Sequence, residues 1–100
     1  MNLVLLTIVA PGRLKDELLE LLLKHPELAS GFTVSQAEGH GANLAFRTVT
    51  DQVRGREDRI RAECVINNGD LHALREIIKH GLPGSNIVCW AVPVMEFGKC

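Results

Sequence analysis

An α+β fold of the ferredoxin-like βαββαβ kind, a four-stranded antiparallel sheet with two helices on one face, follows from three features of this 100-residue sequence. Two amphipathic helical stripes are each followed by strand-like stretches, in the order β-α-β-β-α-β. The first and last of these stretches are apolar on both alternating faces, whereas the middle two are one-sided. In this topology the first and third strands are central, and the last lies on an edge beside the first.

Each element has its own local reason. Residues 3–10, LVLLTIVA, form a short β-rich run ended by Pro11-Gly12. From Arg13 to Lys24 the leucines at 14, 18, 21 and 22 repeat with helical spacing, and Leu19 and Leu23 widen the stripe, so contacts beyond the sheet are expected. Pro26 stops this helix by disfavouring the α conformation at His25. Residues 31–38 alternate Phe32, Val34 and Gln36 with Thr33, Ser35 and Ala37, a half-exposed strand. Residues 39–56 carry glycines without clear periodicity, apart from an extended piece at 44–49, and read as a long mobile loop. The third strand, 59–67, sets Ile60, Ala62, Cys64 and Ile66 against Arg61, Glu63 and Val65. Asp70 is the expected N-cap of a second helix with Leu71, Leu74, Ile77, Ile78 and Leu82 on one face, closed by Gly81, Pro83 and Gly84. Residues 86–94 form the last strand, with Pro93 suited to an edge.

Helices on one face leave the other face bare. Leu3, Leu5 and Val9 with Val88, Trp90 and Val92, or their alternates, would then meet water, and a patch of this kind predicts contacts between subunits. Periodicity leaves open which parity points outward.

Composition narrows the function. With 46% hydrophobic and 23% charged residues, the chain reads as one domain, 1–100. Eleven basic against twelve acidic residues offer no field for nucleic acid or an anionic membrane. Four aromatics, Phe32, Phe46, Trp90 and Phe97, with no tyrosine, make no base-stacking platform. Cys64, Cys89 and Cys100 are odd in number and lack a C-x-x-C pair, which suits a reducing cytoplasm better than a disulfide framework. The apolar start lacks a basic leader, and no run reaches the ~20 residues of a membrane span, so no membrane insertion is expected.

Four segments carry a resemblance. Ala37-Glu38-Gly39-His40-Gly41, Gln52-Val53-Arg54-Gly55, Ile60-Arg61-Ala62-Glu63-Cys64-Val65 and Ala91-Val92-Pro93-Val94-Met95-Glu96 occur in an order and spacing that resemble the PII-type signalling proteins, in particular a compact PII-like branch, and more distantly the CutA proteins. The resemblance implies a homotrimer whose inter-subunit clefts bind a small effector, usually an adenine nucleotide, and whose T-loop, here about 39–56, engages a partner such as a membrane transporter. It implies effector contacts at Gly39, His40, Gly41 and Gly84, and partner contacts at Arg47, Arg54 and Arg56. The glycine-rich segment after the second helix is short, Gly81-Leu82-Pro83-Gly84-Ser85, and lacks the family's following lysine. Glycine backbones at 39–41 and 84 still offer N–H donors to an anion.

No local signature of a nucleophilic or acid–base enzyme is present, so a non-enzymatic role is expected. His40, between two glycines, has the chemistry of a copper or zinc ligand or a pH-sensitive contact, although a solvated loop histidine accounts for it better. His72, Glu76 and His80 follow one side of the second helix as metal ligands or as a plain polar face. Cys100, near Met95, offers a soft-metal thiol or a frayed tail. The leading expectation is a PII-like regulator. The alternatives are a CutA-like or heavy-metal-efflux-associated metal-binding protein using His40, His72, His80 or Cys100, and an assembly protein without a small ligand.

Overall fold

Backbone pairing on both sides of one strand organises the chain. In a computed structural model describing residues 2–41, 56–84 and 86–100, β1 (Leu3–Pro11) lies between β3 (Glu57–Asn67) and β4 (Val88–Val94), and β2 (Thr33–Gly39) completes the sheet beyond β3. Every pairing is antiparallel, in the order β2-β3-β1-β4, so β4 is an edge beside β1 as the topology predicts. Helices α1 (Lys15–Leu23) and α2 (Leu71–Gly81) connect β1 to β2 and β3 to β4.

Alternation then assigns the faces. Val4, Leu6, Ile8 and Ala10 of β1 and Ile60, Ala62, Cys64 and Ile66 of β3 are buried in one cluster with Leu18 and Leu22 of α1 and Leu74 and Ile78 of α2. The opposite parity forms the open face, where Leu5 pairs with Val65 and Val92, and Val9 with Arg61 and Val88. Val88, Trp90 and Val92 are 49%, 50% and 46% exposed, which settles the outward parity in favour of Leu3, Leu5 and Val9. Near the centre of this face Thr7 is buried and its Oγ1 donates to Glu63 Oε2 at 3.2 Å.

Several element ends differ from the sequence expectation. Each helix is entered through a 3-10 turn, Gly12–Leu14 before α1 and Asn68–Asp70 before α2. Asp70 therefore makes no side-chain cap: it already has helical backbone angles (φ −93°, ψ −6°), whereas a capping residue usually stays extended. β3 starts at Glu57 rather than 59, because the ladder with β2 continues through Ala37–Arg59 to Gly39–Glu57. β2 and β4 each begin two residues later than expected, at Thr33 and Val88. Of the two leucines that widen the α1 stripe, Leu23 is exposed and Leu19 is half-buried outside the core cluster. The 44–49 piece and most of the 39–56 loop lie outside the described residues.

The helices meet where glycine removes a side chain. A Cβ on Gly81 would sit 2.7 Å from Leu21 Cδ2. Gly81→Leu should accordingly lower stability by about 1–3 kcal/mol, read as a drop in the urea midpoint with an unchanged slope. Burial also pushes the Cys64 thiol above its ordinary pKa. The folded chain then holds that proton more tightly than the unfolded chain, so this contribution is intact below the ordinary thiol pKa and lost as pH rises above it. Urea titrations between pH about 8 and about 10 should show falling stability for the native sequence and a shallower fall for Cys64→Ala.

Candidate functional site

The chain places Gly39, Val9, Glu57 and Val88 at one end of the sheet, since β2 ends and β3 begins there, as do the end of β1 and the start of β4. Antiparallel register lines up Ser35, Arg61, Val9 and Val88 across the open face, with Ala37 beside Arg59 in the next row. A cleft of about 570 Å³ opens over these rows, walled by Gly39, His40 and Gly41 on one side and by Asn86, Val88 and Trp90 on the other.

Two arginines in this cleft have different roles. Arg59 has a side chain only 6% exposed; its Nη1 donates to the Asn86 carbonyl at 3.4 Å, and its Nη2 lies 3.6 Å from Glu57 Oε2. This buried cation ties β3 to the segment that leads into β4, and its pairing with Glu57 offsets the cost of removing both charges from water. Arg61, two residues on and therefore on the same face, is exposed and has no ion pair or hydrogen bond among the described residues. An unpaired guanidinium near a half-exposed indole can take an anion and stack a planar group in one place.

Glu38 holds Arg56 and His40 together. Its Oε2 pairs with Arg56 Nη1 at 2.7 Å, and its Oε1 accepts from His40 Nε2 at 3.2 Å. Gly41 has φ +144°, where a side chain would be strained, and nothing lies within 4 Å of the Cβ position. A second cleft, of about 670 Å³, lies on the helix side of the same sheet end; Ala37, Glu38, His40 and Arg59 line both clefts, and Lys15, Gln36 and Asp58 line this one as well.

Of the residues singled out from the sequence, Gly39, His40 and Gly41 are brought together. Gly84 lines a separate groove of about 400 Å³ against α2, and Asn86 stands in the first cleft instead. Arg56 pairs with Glu38, while Arg47 and Arg54 lie outside the described residues. His72 and Glu76 line the α2 groove, His80 Nε2 reaches Glu76 Oε2 at 3.1 Å, and Cys100 is exposed. No set of three His, Cys, Asp or Glu side chains stands close enough to hold a metal ion among the described residues. Sequence reasoning missed Arg61, Trp90 and Asn86 as partners of Gly39–Gly41. Strand alternation put Arg61 on one face, but only the register brings it to Val9 and Val88.

Among the described residues no helix is long and apolar enough to cross a membrane. No curated protein matches the chain. Among solved structures it is similar to a DUF3240 family protein from Shewanella baltica, with TM-score 0.81 and 18% identity over 100% of this chain and 98% of that one. It is also similar to CPII, a nitrogen regulatory PII-like protein from Thiomonas intermedia bound to ADP, AMP and bicarbonate (TM-score 0.73, 17% identity, 100% and 97% covered). A third likeness is to CutA from Synechococcus elongatus (TM-score 0.65, 17% identity, 93% and 77% covered). The sheet order, the helices on one face and the site at the sheet end are thus set in a fold of the PII-like and CutA kind. The profile of the family described as "Protein of unknown function (DUF3240)" matches residues 1–100, and the chain belongs to that family.

Proposed function

We propose that this protein is a PII-like regulator that binds a small anionic effector with a planar group, an adenine nucleotide such as ADP or AMP, in the cleft over Arg61. The observation that carries this reading is the exposed Arg61, unpaired among the described residues, in one cleft with Trp90 and the glycines flanking His40. Arg61 supplies charge for a phosphate, Trp90 an apolar plane for the base, and Gly39 and Gly41 a backbone that a ligand can approach without meeting a side chain. The likeness to a PII-like protein bound to ADP and AMP supports the same ligand class.

The cleft sits at the rim of the apolar open face, so a second copy packed on Val88, Trp90 and Val92 would form its outer wall. A homotrimer closing that face accounts for exposed apolar side chains that a monomer would leave in water. The effector would act on a partner, a transporter among the candidates, through the 39–56 segment, because Glu38 and His40 at its root adjoin the cleft and a ligand shifts an equilibrium only by binding its states unequally. Binding without catalysis and a place in the reducing cytoplasm, suited to three unpaired cysteines, complete the reading.

Native mass spectrometry with ADP, AMP, and copper or zinc ions tests it. Three subunits carrying nucleotide are expected; metal without nucleotide would point instead to a metal-handling protein that uses His40 or Cys100. Arg61→Gln should weaken ADP by about tenfold or more, the loss expected for a charge-assisted hydrogen bond, with the trimer intact. Gly41→Leu should abolish nucleotide binding, and unchanged affinity in both variants would overturn the site. Val92→Glu should reduce the assembly to folded monomers in the same spectra.

A further inference from the structure

We propose that His40 makes nucleotide binding depend on pH: as pH falls through neutrality its imidazole takes up a proton, places a positive charge at the wall of the cleft over Arg61 and tightens the hold on a phosphate. The inference rests on the nucleotide reading above and concerns how that same site is regulated.

His40 stands where a charge would reach the ligand. It lines the cleft together with Arg61 and Trp90, and Gly39 and Gly41 on either side of it carry no side chain to cover the ring. Its side chain is 63% exposed, open to both a proton and a ligand. Its Nε2 lies 3.2 Å from Glu38 Oε1, and the other oxygen of that carboxylate pairs with Arg56 Nη1 at 2.7 Å. Glu38 is thus already neutralised by a guanidinium while the imidazole is uncharged. A proton on His40 sets two cations on one carboxylate, which leaves the group with a net positive charge.

The surrounding charges make the imidazole the variable one. β2 contributes Glu38; β3 and the residue before it contribute Arg56, Glu57, Asp58, Arg59 and Arg61; the start of α1 contributes Lys15. Guanidinium, ammonium and carboxylate groups change charge far from pH 7, whereas an imidazole does so close to it. Arg59 is committed to Glu57 and the Asn86 carbonyl, and Arg56 to Glu38. Arg61 is therefore the constant attraction in the cleft and His40 the adjustable one. His40 belongs to no set of three metal-ligating side chains among the described residues, so the cation it is placed to take is a proton. By linkage, a bound phosphate raises the proton affinity of the ring by the same factor as the proton raises the affinity for phosphate.

Calorimetric titration of the full chain with ADP at pH about 6 and about 8, in the presence of a chelator, tests the proposal in the native sequence, His40→Gln and His40→Arg. The terminal phosphate of ADP titrates over the same range, equally for all three proteins, so the quantity read is the ratio of native to variant affinity at each pH. That ratio for His40→Gln should be about fivefold larger at the lower pH than at the higher. His40→Arg, whose guanidinium stays charged, should match the native protein at the lower pH and exceed it by about fivefold at the higher. A ratio to His40→Gln that is the same at both pH values, or a His40→Arg variant that binds no better than His40→Gln, would overturn the inference with the nucleotide site intact. A native protein that binds no ADP at either pH would overturn the nucleotide reading, and this inference with it.

Discussion

The register of β1 is the constraint on which the rest of this structure depends. It is paired with β3 from Leu3 to Pro11 and with β4 from Leu3 to Val9, so the residues up to Val9 have their neighbours fixed on both strands together. Because side chains alternate, the same register decides which residues make the core under the helices and which line the open face. A slip by one residue would exchange Leu6 and Ile8 for Leu5 and Thr7 and expose the most buried part of the molecule. The candidate site inherits this precision: Arg61, Val9 and Val88 share a row only because β1 stands between their strands at this register.

Arg59 fixes the remaining part of the site. A guanidinium removed from water is costly unless its donors are used, and here they are divided between Glu57 on its own strand and the Asn86 carbonyl across the sheet end. The buried pair contributes position more than stability. It holds the approach to β4 near the end of β2, and so sets how far Asn86 and Trp90 stand from Gly39 and His40. Arg61, two residues on, has no such tie among the described residues and stands exposed in the same cleft.

Much of the fold was legible because it rests on local periodicity. The apolar run at 3–10, the clean alternation at 59–67 and the stripe of Leu74 and Ile78 each point to one element, and their order points to one topology. The ends were less legible, since the 3-10 turns at Gly12–Leu14 and Asn68–Asp70 obey the packing of the helices on the sheet rather than a capping side chain. Asp70 illustrates the point: its residue type fits a cap, yet the turn before it leaves no extended residue for the role. The site was legible only in half. Gly39–His40–Gly41 stand out as a string, but their association with Arg61, Trp90 and Asn86 is a matter of register over distances of 20 to 50 residues, which no pattern within a strand encodes. Gly84 likewise stands apart from that group, lining the α2 groove while Asn86 reaches Arg59.

The Thr7–Glu63 hydrogen bond bears on how the open face resists unspecific contact. The chain exposes an apolar sheet face and, among the described residues, a strand edge paired on one side only, the combination that drives indiscriminate stacking into aggregates. Glu63 sets a carboxylate on that face opposite Thr7, flanked on its own strand by Arg61. Pro93 closes one end of that edge. Flat, unregistered association must desolvate that carboxylate and contend with that proline, whereas a specific assembly can place both where they do no harm. The apolar face is thus guarded against indiscriminate contact by a carboxylate within it and a proline at its edge.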